Sequence, residues 1–175
     1  MKKKLIIFCL FTFSLFFSQS DNKLFYTEVV NVKDSITAAK LYVNANIWFV
    51  DTFKNPKEVL QFSDEKNYTI VGRGIIPYQS NIFMSNVATR GYIYFDLKIM
   101  CKNSKFKYEI YNFNHIGNTL NFGDIYKNGI NDTNYGPKKW KEKVSNELID
   151  LIENKIEIIT SSLKTSMSKS TDDKW

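Results

Sequence analysis

Few residues in this sequence could act as nucleophiles or general bases. The 175-residue chain has one histidine, His115, and Cys101 is the one cysteine outside the N-terminal apolar run. A cysteine–histidine pair would provide a thiolate and a base. Strand alternation, however, is expected to place Cys101 and His115 on opposite faces of a sheet. We therefore expect no catalytic dyad.

A serine followed by a lysine three residues later is another pattern that can support nucleophilic chemistry. The pattern occurs at Ser63, Ser104 and Ser161. In so lysine-rich a chain this spacing is expected by chance, and no Lys-Thr-Gly motif accompanies it. A zinc site needs three or four ligands, and His115 with Asp124 provides two. The sequence thus predicts no enzyme, no metal site and no cofactor.

Residues 92–113, "YIYFDLKIMCKNSKFKYEIYNF", alternate as two strands that fold back on each other. If Asn103-Ser104 is the two-residue turn, Lys98 lies opposite Glu109 and forms a cross-strand ion pair. One face of this hairpin is apolar and is expected to face the core. Its predicted pairs are Cys101/Phe106, Ile99/Tyr108, Leu97/Ile110 and Phe95/Asn112.

The other face of the hairpin is aromatic and basic, with Tyr94 predicted opposite Phe113 and Tyr92 opposite His115. Helices can cover only one face of a single sheet, so this face is expected to carry no helix. Three covers remain open: the chain's own segments 77–88 or 116–138, a second copy, or an envelope partner. A contiguous exposed aromatic patch usually marks an interaction surface. The candidate binding residues are Tyr92, Tyr94, Tyr111, Phe113, His115, Arg73, Lys98 and Lys107.

The first twenty residues have the three parts of a secretory signal peptide. Three lysines precede an apolar run at residues 5–17, which is too short to span a bilayer comfortably, and Ser18-Gln19-Ser20 provides small residues for cleavage. Cys9 lies inside the run rather than at its end, which argues against a lipoprotein. We expect export to the periplasm or beyond, with one domain at residues 21–166 and a polar tail at residues 167–175.

Signal cleavage would change the charge of the chain. Three of its 24 basic residues lie in the signal peptide, so 21 basic residues would face 18 acidic ones, a net charge near +3. This modest charge and the export signal argue against a nucleic-acid partner. No second long apolar run follows, so the mature chain is not expected to span a membrane.

Periodicity along the mature chain predicts an α+β fold in the order β-α-β-β-β-β-α. A first strand at residues 24–32 precedes a helix at residues 36–53, capped by Asp34-Ser35 and ended by Asn55-Pro56. Strands follow at residues 59–64 and 68–76, then the hairpin, and a second helix at residues 138–163. Residues 77–88 and 116–138 are predicted to be loops. The predicted buried stripes are Ala38, Leu41, Tyr42, Ala45, Trp48 and Phe49 in the first helix, and Trp140, Val144, Leu148, Ile152, Ile156, Ile159 and Leu163 in the second.

Two glycines two residues apart, Gly72 and Gly74, fall on one face of a predicted strand, where a neighbouring element is expected to approach closely. They belong to the segment "KLYVNANIWFVDTFKNPKEVLQFSDEKNYTIVGRGII", residues 40–76. Its motif residues are Leu41, Tyr42, Trp48, Phe53, Val59, Asp64, Gly72 and Gly74. This segment resembles the bacterial domain of unknown function 4468, described as having a TATA-binding-protein-like fold.

The hairpin segment "KNSKFKYEI" is similar to the Lys-Asp-Gly-Arg-Tyr-Arg-Tyr hairpin of that family. It differs at Asn103, Ser104, Lys105, Phe106 and Lys107, which replace Asp, Gly, Arg, Tyr and Arg. The resemblance covers residues 24–116 and implies one antiparallel sheet with two helices on one face. It also implies export into a Gram-negative envelope, and it implies no activity.

Three functions remain open from the sequence. The first is a non-catalytic binding or assembly module that uses the helix-free face for an envelope protein, a peptide, a glycan or a second copy. The second is a carrier of a small apolar or lipid-like ligand between helices and sheet. The third is an enzyme of unidentified type. The shortage of catalytic groups favours the binding module.

Overall fold

The structure is a computed structural model that describes residues 22–53, 59–82, 85–130 and 136–169. The predicted signal peptide, the helix-ending Asn55-Pro56 and residues 170–175 of the predicted tail lie outside the described residues. Within the described ranges, no helix is long and apolar enough to cross a membrane.

The described residues form seven strands and three helices. In chain order these are β1 (Tyr26–Asn31), α1 (Ala38–Thr52), β2 (Leu60–Asp64), β3 (Thr69–Tyr78), α2 (Asn86–Thr89), β4 (Gly91–Lys102), β5 (Lys105–Gly117), β6 (Gly123–Tyr126), β7 (Gly129–Ile130) and α3 (Lys138–Met167). The α+β class and the single antiparallel sheet are confirmed. The predicted order lacked α2, β6 and β7.

Strand β5 connects the two parts of the sheet. The strands β2, β3, β4 and β5 are neighbours in that order. The other edge of β5 is shared: β1 pairs with its first half, where Tyr26 lies opposite Ile110, and β6 pairs with its second half, where Asp124 lies opposite Asn114. All of these pairings are antiparallel.

Helix α1 begins after Thr37, whose side-chain oxygen accepts a hydrogen bond from the Lys40 amide at 3.2 Å. The predicted cap at Asp34-Ser35 is therefore wrong. Ile36 does not start the helix because its carbonyl accepts a hydrogen bond from the Ser104 amide in the hairpin turn, at 3.0 Å. A side-chain oxygen at the position before the first turn satisfies one of its free amides, and Thr37 does this here.

The buried stripe of α1 matches the prediction, except that Tyr42 is only half-buried and Asn44 is buried. The predicted close approach at the two glycines is also confirmed. A Cβ atom on Gly72 would collide with the ring of Phe49 from α1, and one on Gly74 would collide with the ring of Phe95 from β4. Glycine thus lets these two rings lie directly on β3.

Helix α3 buries the predicted residues Val144, Leu148, Ile152, Ile156 and Leu163, and leaves Trp140 and Ile159 half-buried. The helix does not end near residue 163, as the periodicity had indicated. It continues to Met167, whose side chain is fully buried.

Contacts with α1 and β1 stabilise this last turn of α3. The side-chain amide of Asn44 in α1 donates to the carbonyl of Lys169 at 3.0 Å, and Lys164 pairs with Glu28 at 2.7 Å. The predicted loops also contain structure. Residues 116–138 include β6 and β7, with Phe122, Ile125 and Ile130 in the core.

Candidate binding face of the sheet

The predicted hairpin register is confirmed from the turn to the middle of the strands. Lys102 lies opposite Lys105, Lys98 opposite Glu109 and Asp96 opposite Tyr111. The predicted Lys98–Glu109 ion pair does not form. Glu109 instead accepts a hydrogen bond from Lys107, two residues earlier on the same face of β5, at 2.6 Å.

A β-bulge changes the register beyond Asp96. Asp96 pairs with Tyr111 but Tyr94 pairs with Asn114, so two residues of β5 lie opposite the single residue Phe95. The extra residue is Asn112, which has a left-handed φ of 58°. Asparagine is among the non-glycine residues that adopt this region most readily. A bulge re-aims the side chains that follow it.

The bulge overturns the predicted positions of Asn112, Phe113 and His115. Asn112 was expected in the core and is exposed. Phe113 and His115 were expected on the helix-free face and are buried on the core side, with exposed fractions of 2% and 0%. Phe113 stacks on Phe95, with ring centroids 5.8 Å apart. The predicted pairs Tyr94/Phe113 and Tyr92/His115 therefore do not form.

His115 holds two segments together inside the core. Its Nδ1 accepts a hydrogen bond from the Phe122 amide at 3.3 Å, so Nε2 carries the proton and donates to the Thr89 carbonyl at 2.9 Å. Burial lowers the pKa of His115, and the bond to Thr89 opposes this in part. The histidine is thus a neutral structural residue.

The remaining predicted residues do lie on the helix-free face. These are Tyr92, Tyr94, Tyr111, Arg73, Lys98 and Lys107. They are spread along the whole length of β4 and β5, and the face divides into an apolar end, a polar centre and a basic end.

The apolar end of the face consists of two adjacent rows. Pro77, Tyr92 and Ile116 form one row, and Ile75 and Tyr94 lie in the next. Ile75, Tyr92 and Ile116 are 53%, 47% and 50% exposed. We call these five residues the apolar patch. Only its two tyrosines were predicted from the sequence.

The polar centre is a hydrogen-bonded network. Arg73 Nε donates to one oxygen of Asp96 at 2.9 Å, and the Asn112 side chain donates to the other at 2.8 Å. Beside it, the side-chain amide of Asn114 donates to Asp124 at 3.0 Å. This bond, together with the bond from Lys23, lowers the pKa of Asp124. Each carboxylate therefore already has a cationic partner within the protein, Arg73 for Asp96 and Lys23 for Asp124.

The basic end of the face lies around the hairpin turn. Lys98, Lys102, Lys105 and Lys107 surround Met100 and Val29. We call these six residues the basic end. None of the ion pairs of the described residues involves Lys98, Lys102 or Lys105.

The bulge brings Cys101 and His115 onto the same side of the sheet, contrary to the predicted alternation. They are nevertheless far apart. Cys101 lies eight residues along β4 from Ile93, the strand partner of His115, which is about 26 Å at the usual rise per residue. Burial raises the pKa of the Cys101 thiol to about 12. This thiol cannot form a nucleophile–base pair with His115.

A half-buried carboxylate contact was not predicted from the sequence. Glu147 of α3 accepts hydrogen bonds from the Ser80 hydroxyl and the Asn81 amide, both at 2.7 Å, and from the Tyr78 hydroxyl at 3.3 Å. These bonds connect the end of β3 to α3, so the cluster is structural. Across the described ranges, no group of three or more His, Cys, Asp or Glu side chains could hold a metal ion.

The family model described as "Domain of unknown function (DUF4468) with TBP-like fold" matches residues 26–115, about half of the chain. The chain belongs to this family. No curated protein has a sequence that matches it.

Two crystal structures share the fold. One is a DUF4468 family protein from Bacteroides ovatus ATCC 8483, with a TM-score of 0.55 and 16% identity over 82% of this chain and 87% of that one. The other is a TBP-like protein from Parabacteroides distasonis ATCC 8503, with a TM-score of 0.59 and 12% identity over 82% and 94%. At these identities the likeness concerns the fold alone.

Proposed function

We propose that this chain is an exported, non-catalytic binding module of the bacterial envelope that holds a partner protein against the helix-free face of its sheet. The observation that carries this proposal is the apolar patch. Three of its five side chains are about half-exposed and lie side by side. Contiguous apolar surface of this kind costs solubility and is typical of interaction sites.

The composition of the apolar patch favours a protein over a glycan. A sugar ring stacks best on a flat aromatic platform, whereas the rings of Tyr92 and Tyr94 are inclined at 62° to each other. The rest of the patch is aliphatic, with Ile75 and Ile116 projecting beside the tyrosines. Such a surface packs against apolar side chains of another protein.

Two exposed arginines border the apolar patch and indicate the charge of the partner. Arg73 is held by Asp96 on one side, and Arg90 donates to Gln79 at 3.0 Å on another. Arginine and tyrosine are enriched among residues that dominate interface energies. An acidic rim on the partner would complement them. A second copy docked patch to patch would bring arginines towards arginines, which is unfavourable.

The other two functions receive less support. The carrier would need space between helices and sheet, where Phe49 and Phe95 already fill the room left by Gly72 and Gly74. An enzyme would need a reactive group, and Cys101 and His115 are both buried and distant from each other. Export is supported by the signal-peptide pattern of the first twenty residues.

The proposal is tested by placing a photo-crosslinking amino acid at Ile116 in the native cells, with Ile158 of α3 as the matched control. Both are exposed isoleucines, at 50% and 62%. We expect a discrete adduct with another envelope protein from position 116 only. That protein, once identified and purified, should bind the wild-type chain and bind Arg73→Glu at least tenfold more weakly.

Three results would count against the proposal. Adducts from both positions would indicate non-specific contact. An adduct with the mass of two chains would indicate self-association. Unchanged affinity of the Arg73→Glu variant for the purified partner would place the contact elsewhere on the molecule.

A further inference from the structure

The basic end of the sheet face contains like charges in opposed strand positions, which lower the stability of the fold. Lys102 lies directly opposite Lys105 across the hairpin, and both side chains are exposed. Like charges in directly opposed strand positions repel. Lys107 and Lys98 add two further positive charges one and two rows away, and Glu109 is the one acidic side chain of β4 and β5 in these three rows.

Apolar side chains lie in the middle of these lysines. Val29 of β1 is opposite Lys107, and Met100 of β4 is opposite Lys107 on the other side. Val29 is 56% exposed. Together with Lys102, Lys105, Lys107 and Phe106 they line a depression of about 260 Å³. The surface is thus apolar in its centre and cationic around it.

We infer that the basic end docks the protein peripherally onto a membrane surface rich in anionic lipids. Lysine ammonium groups would lie at the level of the lipid phosphates, and Val29 and Met100 would enter the boundary between headgroups and acyl chains. Basic clusters near a bilayer gain attraction from each lysine, and apolar side chains add contact area.

The chemistry of the basic end fits a lipid surface better than a nucleic acid or an acidic protein. Single-stranded nucleic acids are bound by grooves that combine basic residues with aromatic stacking platforms. The exposed side chains between these lysines are Val29 and Met100, and the ring of Phe106 at the base of the depression is buried, with 1% exposed, so it offers no open face for stacking. A site for an acidic protein is expected to hold its cations in fixed positions through hydrogen bonds. Among the described residues, no ion pair involves Lys98, Lys102 or Lys105.

This inference does not rest on the proposed protein contact. Tyr92 in the apolar patch and Met100 in the basic end are eight residues apart on β4, about 26 Å. The two contacts therefore use opposite ends of one face. Variants at one end can be tested without altering the other.

The test is co-sedimentation of the purified chain, lacking residues 1–20, with vesicles of phosphatidylglycerol and phosphatidylethanolamine, compared with vesicles of phosphatidylcholine. We expect binding to the anionic vesicles only, weakened by salt because exposed charges are screened. Each lysine near an anionic surface is worth roughly a fivefold change in affinity. The double variant Lys102→Gln/Lys105→Gln should therefore bind about 25-fold more weakly.

The matched control is Lys139→Gln/Lys155→Gln, two exposed lysines of α3 whose removal changes net charge equally. It should bind within about twofold of the wild-type chain. Val29→Ser should weaken vesicle binding while leaving its salt dependence unchanged, because it removes only apolar contact. Circular dichroism should show all these variants folded, since the altered side chains are exposed.

Several outcomes would overturn the inference. Equal losses in the two double variants would show that net charge, and not the basic end, attracts the vesicles. Failure of anionic vesicles to bind the wild-type chain at low salt would exclude lipid docking. Tighter binding to a DNA oligonucleotide or an acidic peptide than to the vesicles would assign the lysines to that class of partner. None of these results bears on crosslinking at Ile116.

Discussion

Asn112 and Asp96 are joined by a hydrogen bond across the bulge of β5, at 2.8 Å from the side-chain amide to the carboxylate. The second oxygen of Asp96 accepts from Arg73. One carboxylate therefore fixes both the extra residue of β5 and the arginine that borders the apolar patch. The position of the bulge decides that Phe113 and His115 enter the core.

Replacing Asn112 should test how strongly this bulge is fixed. Asn112→Val places a β-branched residue in a left-handed conformation, which costs about 1–3 kcal/mol, and removes a hydrogen bond to a charged group, which is worth about 1.5–3 kcal/mol. We expect a loss of at least about 2 kcal/mol in the free energy of unfolding, measured by urea denaturation. Asn112→Gly tolerates the left-handed backbone conformation and should therefore lose less of the free energy of unfolding than Asn112→Val. Equal losses would show that the backbone conformation is not limiting.

The stability of the protein should depend on pH through His115. Its pKa is lowered by burial in the folded state, and the ordinary value near 6.5 applies in the unfolded chain. The unfolded state therefore binds the proton more readily, and stability is expected to fall as the pH drops below about 6.5. Urea denaturation at a series of pH values between 8 and 5 measures this slope.

The control for this effect is His115→Gln, since the chain contains no other histidine. The variant should be less stable than the wild type but should show a nearly flat profile between about pH 7 and 5. The lowered pKa values of Glu28 and Asp124 act in a separate window, because stability from these carboxylates is lost only as the pH falls below their ordinary values of 4.5 and 3.8. An unchanged slope in the variant would contradict the assignment to His115.

Trp48 should contribute strongly to the core. Its side chain is 2% exposed, and its indole NH donates to the Ser162 hydroxyl of α3 at 3.1 Å. Trp48→Ala should cost roughly 3–5 kcal/mol, since it removes a large buried ring. Ser162→Ala removes the hydrogen bond alone and should cost about 1 kcal/mol. A loss below about 1 kcal/mol for Trp48→Ala in thermal melts would contradict its place in the core.

The parts of the fold that the sequence predicts are those with sustained periodicity. The stripe from Val144 to Leu163 and the alternation from Phe95 to Ile110 each repeat often enough to define a buried face. Short strands lack this signal. β6 and β7 span four and two residues, and the glycines Gly123 and Gly129 with left-handed φ angles interrupt any alternation around them.

Part of the candidate face was predicted wrongly, and the reason is local: the β-bulge at Asn112. Alternation counts residues and cannot register an inserted one, so every assignment on β5 after Asn112 was reversed. The available signal was weak: an asparagine inside an apolar alternation favours the left-handed region, but it does not require it. Ile116 was missed for another reason: residues 116–138 were predicted to be a loop, whereas β5 continues to Gly117.

The pairing of the first strand with β5 has a consequence for the order of events in folding. Tyr26 and Ile110 are partners although 84 residues separate them along the chain, whereas β2, β3, β4 and β5 pair with their sequence neighbours. On a growing chain, β1 has no native partner until residues 105–110 have been made. Closing so long a loop costs more chain entropy than closing a hairpin, so β1 is placed onto a meander that local contacts have already built.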